Sequence, residues 1–392
     1  MSDSFTEKTS TSWFSRIGSA LKGIIVGIIL IPLSLGGLFW NEGRAVKTAK
    51  SLKEGASVVR SVGAQSVDPA NEGKLVHVSA PITVTEFPID TLLGVSSSGM
   101  RLERKVEMFQ WTEKSESKTR KKLGGGEETT TEYTYIKAWQ EGPSDSSTFK
   151  KPEGHQNPPL TTGSESFSSP SGKIGAFDLS GQQLDNFGVS EPLALTDAQV
   201  TEFPAKLGTP LKVTVNATGA AVLGADALNP QIGDLRVSYG LVKPAPASLV
   251  ASQMGKGFTS YKTSNGRTIF LTENGDVPAA TMFKTALDNN KVLTWALRAL
   301  GLVLLFVGFK MIMSVVGVLG DVVPFFGSLL GFGTSLIAGL ATVILGFVTM
   351  SIAWIVYRPI VGFGILALGA IITGGLWMAR RKKTVAASPK PA

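Results

Sequence analysis

The feature that most constrains this chain is the placement of its apolar residues, which are concentrated at the two ends of the sequence. Near the N-terminus, residues 23–40 form an uncharged run of eighteen residues that ends at Trp40. A helix of that length is roughly 27 Å long, close to the thickness of the hydrocarbon core of a bilayer. A signal peptide would have a shorter apolar core and a small-x-small cleavage site, and neither is present. We therefore interpret the run as an uncleaved membrane anchor.

Further apolar stretches fill the last third of the chain. Residues 292–309 are largely apolar but contain Arg298. Residues 322–357 and 360–379 carry no charged residue at all. Thirty-six uncharged residues are too many for one crossing. Pro324 and the glycines that follow it favour a break near the start of that stretch.

The sequence thus predicts a membrane protein of the α+β class, with four transmembrane helices (one N-terminal, three C-terminal) around a large mainly-β extracytoplasmic domain. The predicted parts, in chain order, are a cytoplasmic N-terminus (1–22), transmembrane helix 1 (23–40), a juxtamembrane amphipathic helix (41–60), the mainly-β domain (61–278), a helix leading into transmembrane helix 2 (279–310), an interfacial or re-entrant hairpin (311–333), transmembrane helices 3 (334–357) and 4 (360–379), and a basic cytoplasmic tail (380–392).

The positions of basic residues predict the orientation of these crossings. Arg16, Lys22 and the closing "RRKK" at 380–383 would be cytosolic by the positive-inside rule, which leaves the middle of the chain on the other side. The lysines after Trp40 argue for the opposite orientation, but charges beside a long translocated domain carry less weight. Four crossings would place both termini on the same side.

Apolar residues recur with different periods in the juxtamembrane segment and in the middle region. After Trp40, small and apolar residues recur at helical spacing at Ala45, Ala49 and Leu52, which predicts an amphipathic helix whose lysines reach lipid head groups. In contrast, the stretch "LVHVSAPITV" at 75–84 alternates with a period of two, which is typical of a strand. A hairpin turn is predicted at Asn265-Gly266.

Composition excludes several classes of function. The chain has no cysteine and two histidines, so disulfide scaffolds, thiolate catalysis and cysteine metal sites are ruled out. No phosphate-binding loop or nucleophile elbow is present. The net charge of +8 comes from basic residues that flank apolar segments, as orientation signals do, and not from a nucleic-acid-binding module. We expect no enzymatic activity, no cofactor, no metal and no nucleic-acid partner.

The residues that attract attention lie in or beside the predicted membrane segments. As candidates for interface or packing roles we single out Trp40, Glu42, Arg44, Lys47, Arg298, Lys310, Asp321 and Arg358. Placing a charged side chain in hydrocarbon is costly, so a charge found there calls for a functional explanation. The functional interpretations are an ion pathway, pairing between helices, or contact with a lipid head group. The alternative for Arg298, Lys310 and Arg358 is that each side chain extends from a helix end to the interface. Spaced glycines, as at Gly23 and Gly27, could bring helices together.

Seven short stretches, in this order along nearly the whole chain, carry a family resemblance: "NEGRAVKTAKSLKEG" (41–55), "NEGKLVHV" (71–78), "VEMFQW" (106–111), the spacing of Tyr133, Tyr135 and Trp139, "GDLRVS" (233–238), "TWALRA" (294–299) and "YRP" (357–359). With these stretches the sequence resembles the LUMA family, also called the transmembrane protein 43 family. The resemblance implies one N-terminal and three C-terminal crossings around a large luminal domain. It also implies a protein that self-associates and, in animals, interacts with emerin and lamins in the endoplasmic reticulum and inner nuclear membrane. It implies no catalytic residues.

Three hypotheses for the function follow. The first is a non-enzymatic membrane scaffold or organiser that forms a homo-oligomer and presents its large domain to membrane lipids or to a membrane or envelope protein. The second is a small transporter or channel that uses the intramembrane charges, and the third is an extracytoplasmic ligand sensor. The absence of cysteine and of eukaryotic sorting signals favours a bacterial inner membrane with a periplasmic domain. The endoplasmic reticulum or inner nuclear membrane with a luminal domain is the alternative.

Overall fold

The computed structural model describes residues 3–160 and 162–360. The chain divides into two compact units. The β-rich unit comprises residues up to 9, 51–119 and 129–286, and the helical unit comprises residues 10–50, 120–128 and those from 287 onward. The helices are α1 (Trp13–Val58), α2 (Gly181–Leu184), α3 (Asp197–Val200), α4 (Phe203–Lys206), α5 (Ala279–Gly320) and α6 (Pro324–Tyr357).

The strands are mostly short, with β6 and β7 the long exceptions. They are β1 (Asp3–Thr11), β2 (Arg60–Ser61), β3 (Leu75–Val84), β4 (Ile89–Asp90), β5 (Val95–Ser96), β6 (Arg101–Lys121), β7 (Glu127–Glu141), β8 (Glu165–Ser168), β9 (Ser171–Ile174), β10 (Phe177–Ser180), β11 (Ser190–Leu193), β12 (Val213–Val215), β13 (Ala221–Leu223), β14 (Leu235–Val242), β15 (Pro246–Met254), β16 (Gly257–Thr259), β17 (Tyr261–Lys262), β18 (Thr268–Ile269) and β19 (Leu271–Asn274).

Two larger sheets organise the strands that the structure describes. One has the order β1-β7-β6-β14-β13-β12, with β11 on β14 and β8 on β6. The other has the order β10-β9-β3-β15-β16, with β19 on β15 and β2 on β3. Each sheet has its own buried core, since Val106 and Phe203 belong to one apolar cluster and Val78 and Leu249 to another. The alternation predicted at 75–84 is explained by the second core, because Val76, Val78 and Ile82 point into it.

Strand β1 sets a condition on the membrane topology. It pairs with β7, so residues 3–11 belong to the same sheet as residues 127–141. The sequence assigned these two segments to opposite sides of a bilayer. Hydrogen-bonded strands of one sheet lie in one aqueous space, because lipid cannot satisfy the backbone groups of an open sheet. A single crossing by α1 and the β1–β7 pairing are therefore alternatives, because α1 links β1 to β2 and both strands belong to sheets of the β-rich unit.

The long helices are the membrane elements of the described chain. Three of them, α1, α5 and residues 327–357 of α6, are long and apolar enough to cross a bilayer. With the large mainly-β unit, they confirm the predicted membrane protein of the α+β class. The predicted fourth crossing (360–379) lies, except for Ile360, outside the described residues. Residues 311–333 comprise the end of α5, the turn 321–323 and the start of α6, and their depth in the membrane stays a prediction.

Glycine allows α1 and α5 to pack closely. A Cβ atom added at Gly27 would lie 2.6 Å from the carbonyl oxygen of Gly308, and one added at Gly301 would lie 2.6 Å from the side chain of Leu38. A larger residue at Gly27 would meet the backbone of α5 and push the helices apart, whereas one at Gly301 would displace the Leu38 side chain. Small residues are needed for such contacts because lipid gives helices no hydrophobic reason to associate.

Candidate functional site

A buried ion pair joins the three long helices. Glu42 on α1 is completely buried, and Arg298 on α5 donates to it from Nε to Oε1 (2.6 Å) and from Nη2 to Oε2 (2.8 Å). The indole Nε1 of Trp354 on α6 donates a third hydrogen bond to Oε2 (2.8 Å). The guanidinium also lies over the ring of Trp295, at 4.6 Å from its centroid. Glu42 is therefore held by a planar, bidentate partner in an aromatic enclosure, the geometry that best offsets the cost of burying a charge.

A second layer of polar contacts lies next to this ion pair. Asn41 donates from Nδ2 to the carbonyl oxygen of Thr294 (3.0 Å). Arg44 donates from Nη1 to Oδ1 of Asn290 (3.0 Å) and from Nη2 to Oγ1 of Thr294 (3.0 Å). Asn290 in turn donates from Nδ2 to the carbonyl oxygen of Ala45 (3.0 Å). These bonds fix the rotation of α1 against α5, since each one ties a specific face of one helix to the other.

Tyr357 completes the cluster from the end of α6. Its ring lies so close to Gly43 that a Cβ atom there would be 2.6 Å from Cζ of the tyrosine. Its centroid is 5.4 Å from that of Phe39. We call the set of Asn41, Glu42, Gly43, Arg44, Asn290, Thr294, Trp295, Arg298, Trp354 and Tyr357 the helix lock. Three of the seven stretches that carry the family resemblance, around residues 41–55, 294–299 and 357–359, meet in it.

A second charge cluster surrounds the turn between α5 and α6. Asp321 is buried and accepts from Nη2 of Arg16 (2.5 Å) and from Nζ of Lys121 (2.6 Å). Arg16 also donates to the carbonyl oxygen of Gly125 (2.5 Å), at the tip of the β6–β7 hairpin. The tip is tied once more by the backbone N–H of Gly124, which donates to the carbonyl oxygen of Val322 (3.1 Å). We call this set the tip clamp.

The tip clamp keeps its carboxylate ionised. Burial acts to raise the pKa of Asp321, but the hydrogen bonds and positive charges of Lys121 and Arg16 outweigh it, so the pKa is lower than the usual value. A carboxyl whose folded-state pKa is depressed contributes stability above its unfolded pKa. That contribution is lost as the pH falls through the folded pKa. The clamp is therefore fully formed at neutral pH.

The remaining candidates are not members of these two clusters, although Trp40 and Arg358 are sequence neighbours of helix-lock residues. Trp40 is 62% exposed and lines an apolar groove of about 290 Å³ beside α5. Lys47 is exposed on α1. Lys310 donates to the carbonyl oxygen of Gly331 (3.1 Å) and to the hydroxyl of Ser335, so it joins α5 to α6. Arg358 is exposed at the end of α6, where its backbone N–H donates to the carbonyl oxygen of Trp354 (2.7 Å).

Sequence reasoning selected both members of the ion pair but did not pair them. Arg298 was weighed between helix pairing and extension to the interface, and its guanidinium pairs with a neighbouring helix. The aromatic members Trp295 and Trp354 and the amide Asn290 were missed. The available signal was their position, because Trp295 lies in "TWALRA" with Arg298 and Trp354 lies one helical turn before the tyrosine of "YRP".

Titratable groups of the β-rich unit are likewise engaged by structural partners. His77 contacts Oγ of Ser61 (3.2 Å) and the carbonyl oxygen of Val277 (2.9 Å). Buried Asp90 accepts from Nη1 of Arg104 (2.6 Å) and from the hydroxyl of Tyr239 (2.6 Å). Burial and the neighbouring carboxylate raise the pKa of Tyr239. Within residues 3–160 and 162–360, no group of three or more His, Asp or Glu side chains could hold a metal ion.

Comparison with known proteins identifies the family. The model of the Transmembrane protein 43 family matches residues 108–359. The chain belongs to the Transmembrane protein 43 family. Transmembrane protein 43 of Rattus norvegicus is 31% identical over 381 residues, which cover 94% of this chain and 93% of the rat protein. The human protein (Homo sapiens) is also 31% identical, over 93% of this chain and 92% of its own length.

More distant members match over a similar extent. The Transmembrane protein 43 homolog of Drosophila melanogaster is 27% identical over 354 residues, which cover 88% of this chain and 92% of the fly protein. No solved structure matches the chain. The resemblance that the sequence motifs indicated is thus confirmed at the level of the family, and the protein is a membrane protein of that family. Asp321 and the α5 and α6 members of the helix lock fall within residues 108–359, whereas its α1 members, at 41–44, lie outside them.

Proposed function

We propose that this protein is a non-enzymatic multi-pass membrane scaffold that self-associates and presents its β-rich unit to protein or lipid partners. The observation that carries the proposal is the closed state of the helix lock. Glu42 is completely buried and both of its carboxylate oxygens are engaged, by two donors from Arg298 and one from Trp354. An ion pair whose atoms are all engaged in this way holds the helices in a fixed arrangement, as a scaffold requires.

The same observation disfavours the competing transporter. A transport pathway needs polar groups that repeat along a helix face at membrane depth and can exchange partners. Here the charge of Glu42 is matched by one bidentate partner, Arg298, whose guanidinium lies over the rings of Trp295 and Trp354. Lys310 is also engaged, by oxygen atoms of Gly331 and Ser335. Moving an ion through this site would break a buried pair, at a cost of about 3–5 kcal/mol.

We further propose a bacterial inner membrane with a periplasmic β-rich unit as the location, with the endoplasmic reticulum or inner nuclear membrane as the alternative. The support is the absence of cysteine and the basic residues that flank the apolar segments.

The proposal is tested by measuring ion flux and oligomer stability on the same sample. The full chain is reconstituted in liposomes, and ion flux and oligomer stability are compared for the parent and for Lys310→Met, Asp321→Asn and Arg358→Gln. We expect no flux above that of empty liposomes, and altered oligomer stability in the variants. If the parent conducts ions and these substitutions abolish conduction while the oligomer stays intact, the scaffold is the wrong function and the transporter is correct.

A further inference from the structure

The groove beside Trp40 lies between α1 and α5 and belongs entirely to the helical unit. It has a volume of about 290 Å³, and its walls include Leu30, Leu33 and Gly37 of α1 and Leu297, Leu300 and Leu304 of α5. Two polar side chains of the lining are already engaged, since Ser34 donates to the carbonyl oxygen of Leu30 (2.7 Å) and Asn41 to that of Thr294 (3.0 Å). The groove therefore offers mainly hydrocarbon walls to whatever fills it.

Gly37 leaves space in the groove. A Cβ atom added at Gly37 would have no other atom of the described chain within 4 Å. One added at Gly301, which also lines the groove, would lie 2.6 Å from the side chain of Leu38. The missing side chain of Gly301 thus lets α1 pack on α5, whereas that of Gly37 leaves room for a group from outside the described chain.

The length of the groove matches one leaflet of a bilayer. On α1 the groove extends from Leu30 to Asn41, and these eleven steps of about 1.5 Å give at most about 16 Å. The hydrocarbon core is roughly 30 Å thick, so the groove covers about half of it. A transmembrane helix of a second copy would pack along the whole core, whereas the acyl chain of a lipid occupies a single leaflet.

Trp40 sets the depth of the groove in the membrane. It ends the uncharged run 23–40, and tryptophan is enriched at the boundary between hydrocarbon and water. The groove therefore opens at the interface and continues from there towards the centre of the bilayer. Water is absent at that depth, so apolar space there is filled by hydrocarbon.

Positive charges lie beyond the mouth of the groove. Arg44 follows Gly37 by seven residues and Lys47 follows Trp40 by seven, so each lies two helical turns further along the same face of α1. From 43 to 50, α1 carries three basic residues and no acidic one. Glu42, just before them, is already neutralised by its ion pair. Basic residues at this level attract anionic lipid head groups.

We infer that the groove binds one acyl chain of an anionic phospholipid, whose phosphate lies at Lys47 and next to Arg44. The apolar walls hold the chain within one leaflet, and the cations select the head group. This site goes beyond the proposed scaffold and requires only the membrane helices, so it does not depend on self-association.

Photolabelling of the full chain tests the site. The protein is placed in phosphatidylcholine nanodiscs with a minor fraction of phosphatidylglycerol that carries a diazirine in one acyl chain. A parallel sample contains phosphatidylcholine with the same diazirine chain. After illumination, the labelled residues are identified by mass spectrometry. We expect phosphatidylglycerol to label residues 30–41 and 297–304 more than phosphatidylcholine does, by about fivefold or more.

Two matched pairs of variants separate a site from general contact with lipid. Gly37→Trp fills the groove and should abolish the preferential labelling. Gly36→Trp should preserve it, because Gly36 is exposed on the same helix and has the same open surroundings but does not line the groove. Lys47→Gln should lower the preference for phosphatidylglycerol by about fivefold, whereas Lys22→Gln, at the other end of the apolar run, should not.

The other occupants of the groove give different results. Equal labelling by both lipids that Gly37→Trp does not reduce would mean that the groove holds only bulk lipid, and the inference would be wrong. It would also be wrong if residues 30–41 stayed unlabelled and Gly37→Cys formed disulfide-linked dimers, because a second copy would then fill the groove. Absence of both products would mean that another part of the chain covers it. In each case the oligomer measurement decides on the scaffold separately.

Discussion

At the scale of single residues, the helix lock shows how a chain keeps a charge among apolar helices. Glu42 and Arg298 are 256 residues apart in the sequence, yet they form this buried pair. A buried pair of this kind contributes little relative to an apolar replacement, but it is very costly to break on one side. The pair instead restricts α1 to one rotation about its axis relative to α5.

Removing one partner of the pair should therefore destabilise the helical unit. For Arg298→Ala we expect a loss of about 3–5 kcal/mol, because Glu42 would stay buried without its partner. The double variant Glu42→Gln with Arg298→Met should recover part of that loss. Thermal unfolding in lipid nanodiscs, followed by the circular dichroism of the helices, measures both. Lys22→Met, an exposed change on α1, is the control, and an equal shift for it and Arg298→Ala would contradict the account.

The tip clamp gives a second prediction at this scale. Asp321→Asn removes the charge that holds Arg16 and Lys121, so the hairpin tip should open more often. Limited trypsin digestion at Lys121 and Lys122 should then be faster, by about tenfold or more if a charged hydrogen bond is lost. The matched change Glu116→Gln on the exposed face of β6 should leave the rate unchanged. Equal rates for the two variants would mean that Asp321 does not hold the tip.

At the scale of elements, α1 runs for 46 residues from Trp13 to Val58, with Pro32 inside it. It joins the anchor (23–40) to the juxtamembrane helix (41–60), and the helical spacing after Trp40 predicts that the two are continuous or nearly continuous. Proline is tolerated inside membrane helices because neighbouring groups satisfy the freed carbonyl.

Cysteine accessibility along residues 41–57 tests this continuity. Buried positions such as Asn41, Ala45 and Leu52 recur at helical spacing, and Lys50 and Lys53 are exposed between them. We expect labelling by a soluble thiol reagent to vary with a period near 3.6 residues. A period of two, or uniform labelling, would show that the segment is not a helix packed in this way.

Other elements lay beyond the reach of sequence reasoning for physical reasons. Strand β1 has the sequence "DSFTEKTST", which has no alternating apolar face, so its position in the sheet depends entirely on a distant partner. Strand β3, in contrast, has apolar residues at alternate positions because Val76, Val78 and Ile82 face one core, and the predicted strand agrees with the structure. The sequence indicated the charged residues of the helix lock but not that they pair, because the partners are far apart along the chain. Local patterns of apolar residues indicate which positions are buried, but they do not indicate which segments contact each other.

At the scale of the whole molecule, the sheet that contains β1 restricts how the chain can be inserted in a membrane. If β1 keeps its pairing with β7 in the membrane, residues 3–11 and 127–141 share an aqueous space. A membrane-impermeant thiol reagent should therefore label Thr6→Cys and Glu132→Cys from the same side of sealed vesicles. Labelling from opposite sides would mean that β1 leaves the sheet in the membrane, and the predicted cytoplasmic N-terminus (1–22) would then stand.

The central claim is that this member of the Transmembrane protein 43 family works as an assembly of identical copies in a membrane. The most direct measurement is native mass spectrometry of the full chain, released from its own membranes in lipid particles without detergent. The account predicts a defined multiple of the 41.3 kDa chain, kept at low protein concentration. A single 41.3 kDa copy across all concentrations would contradict it.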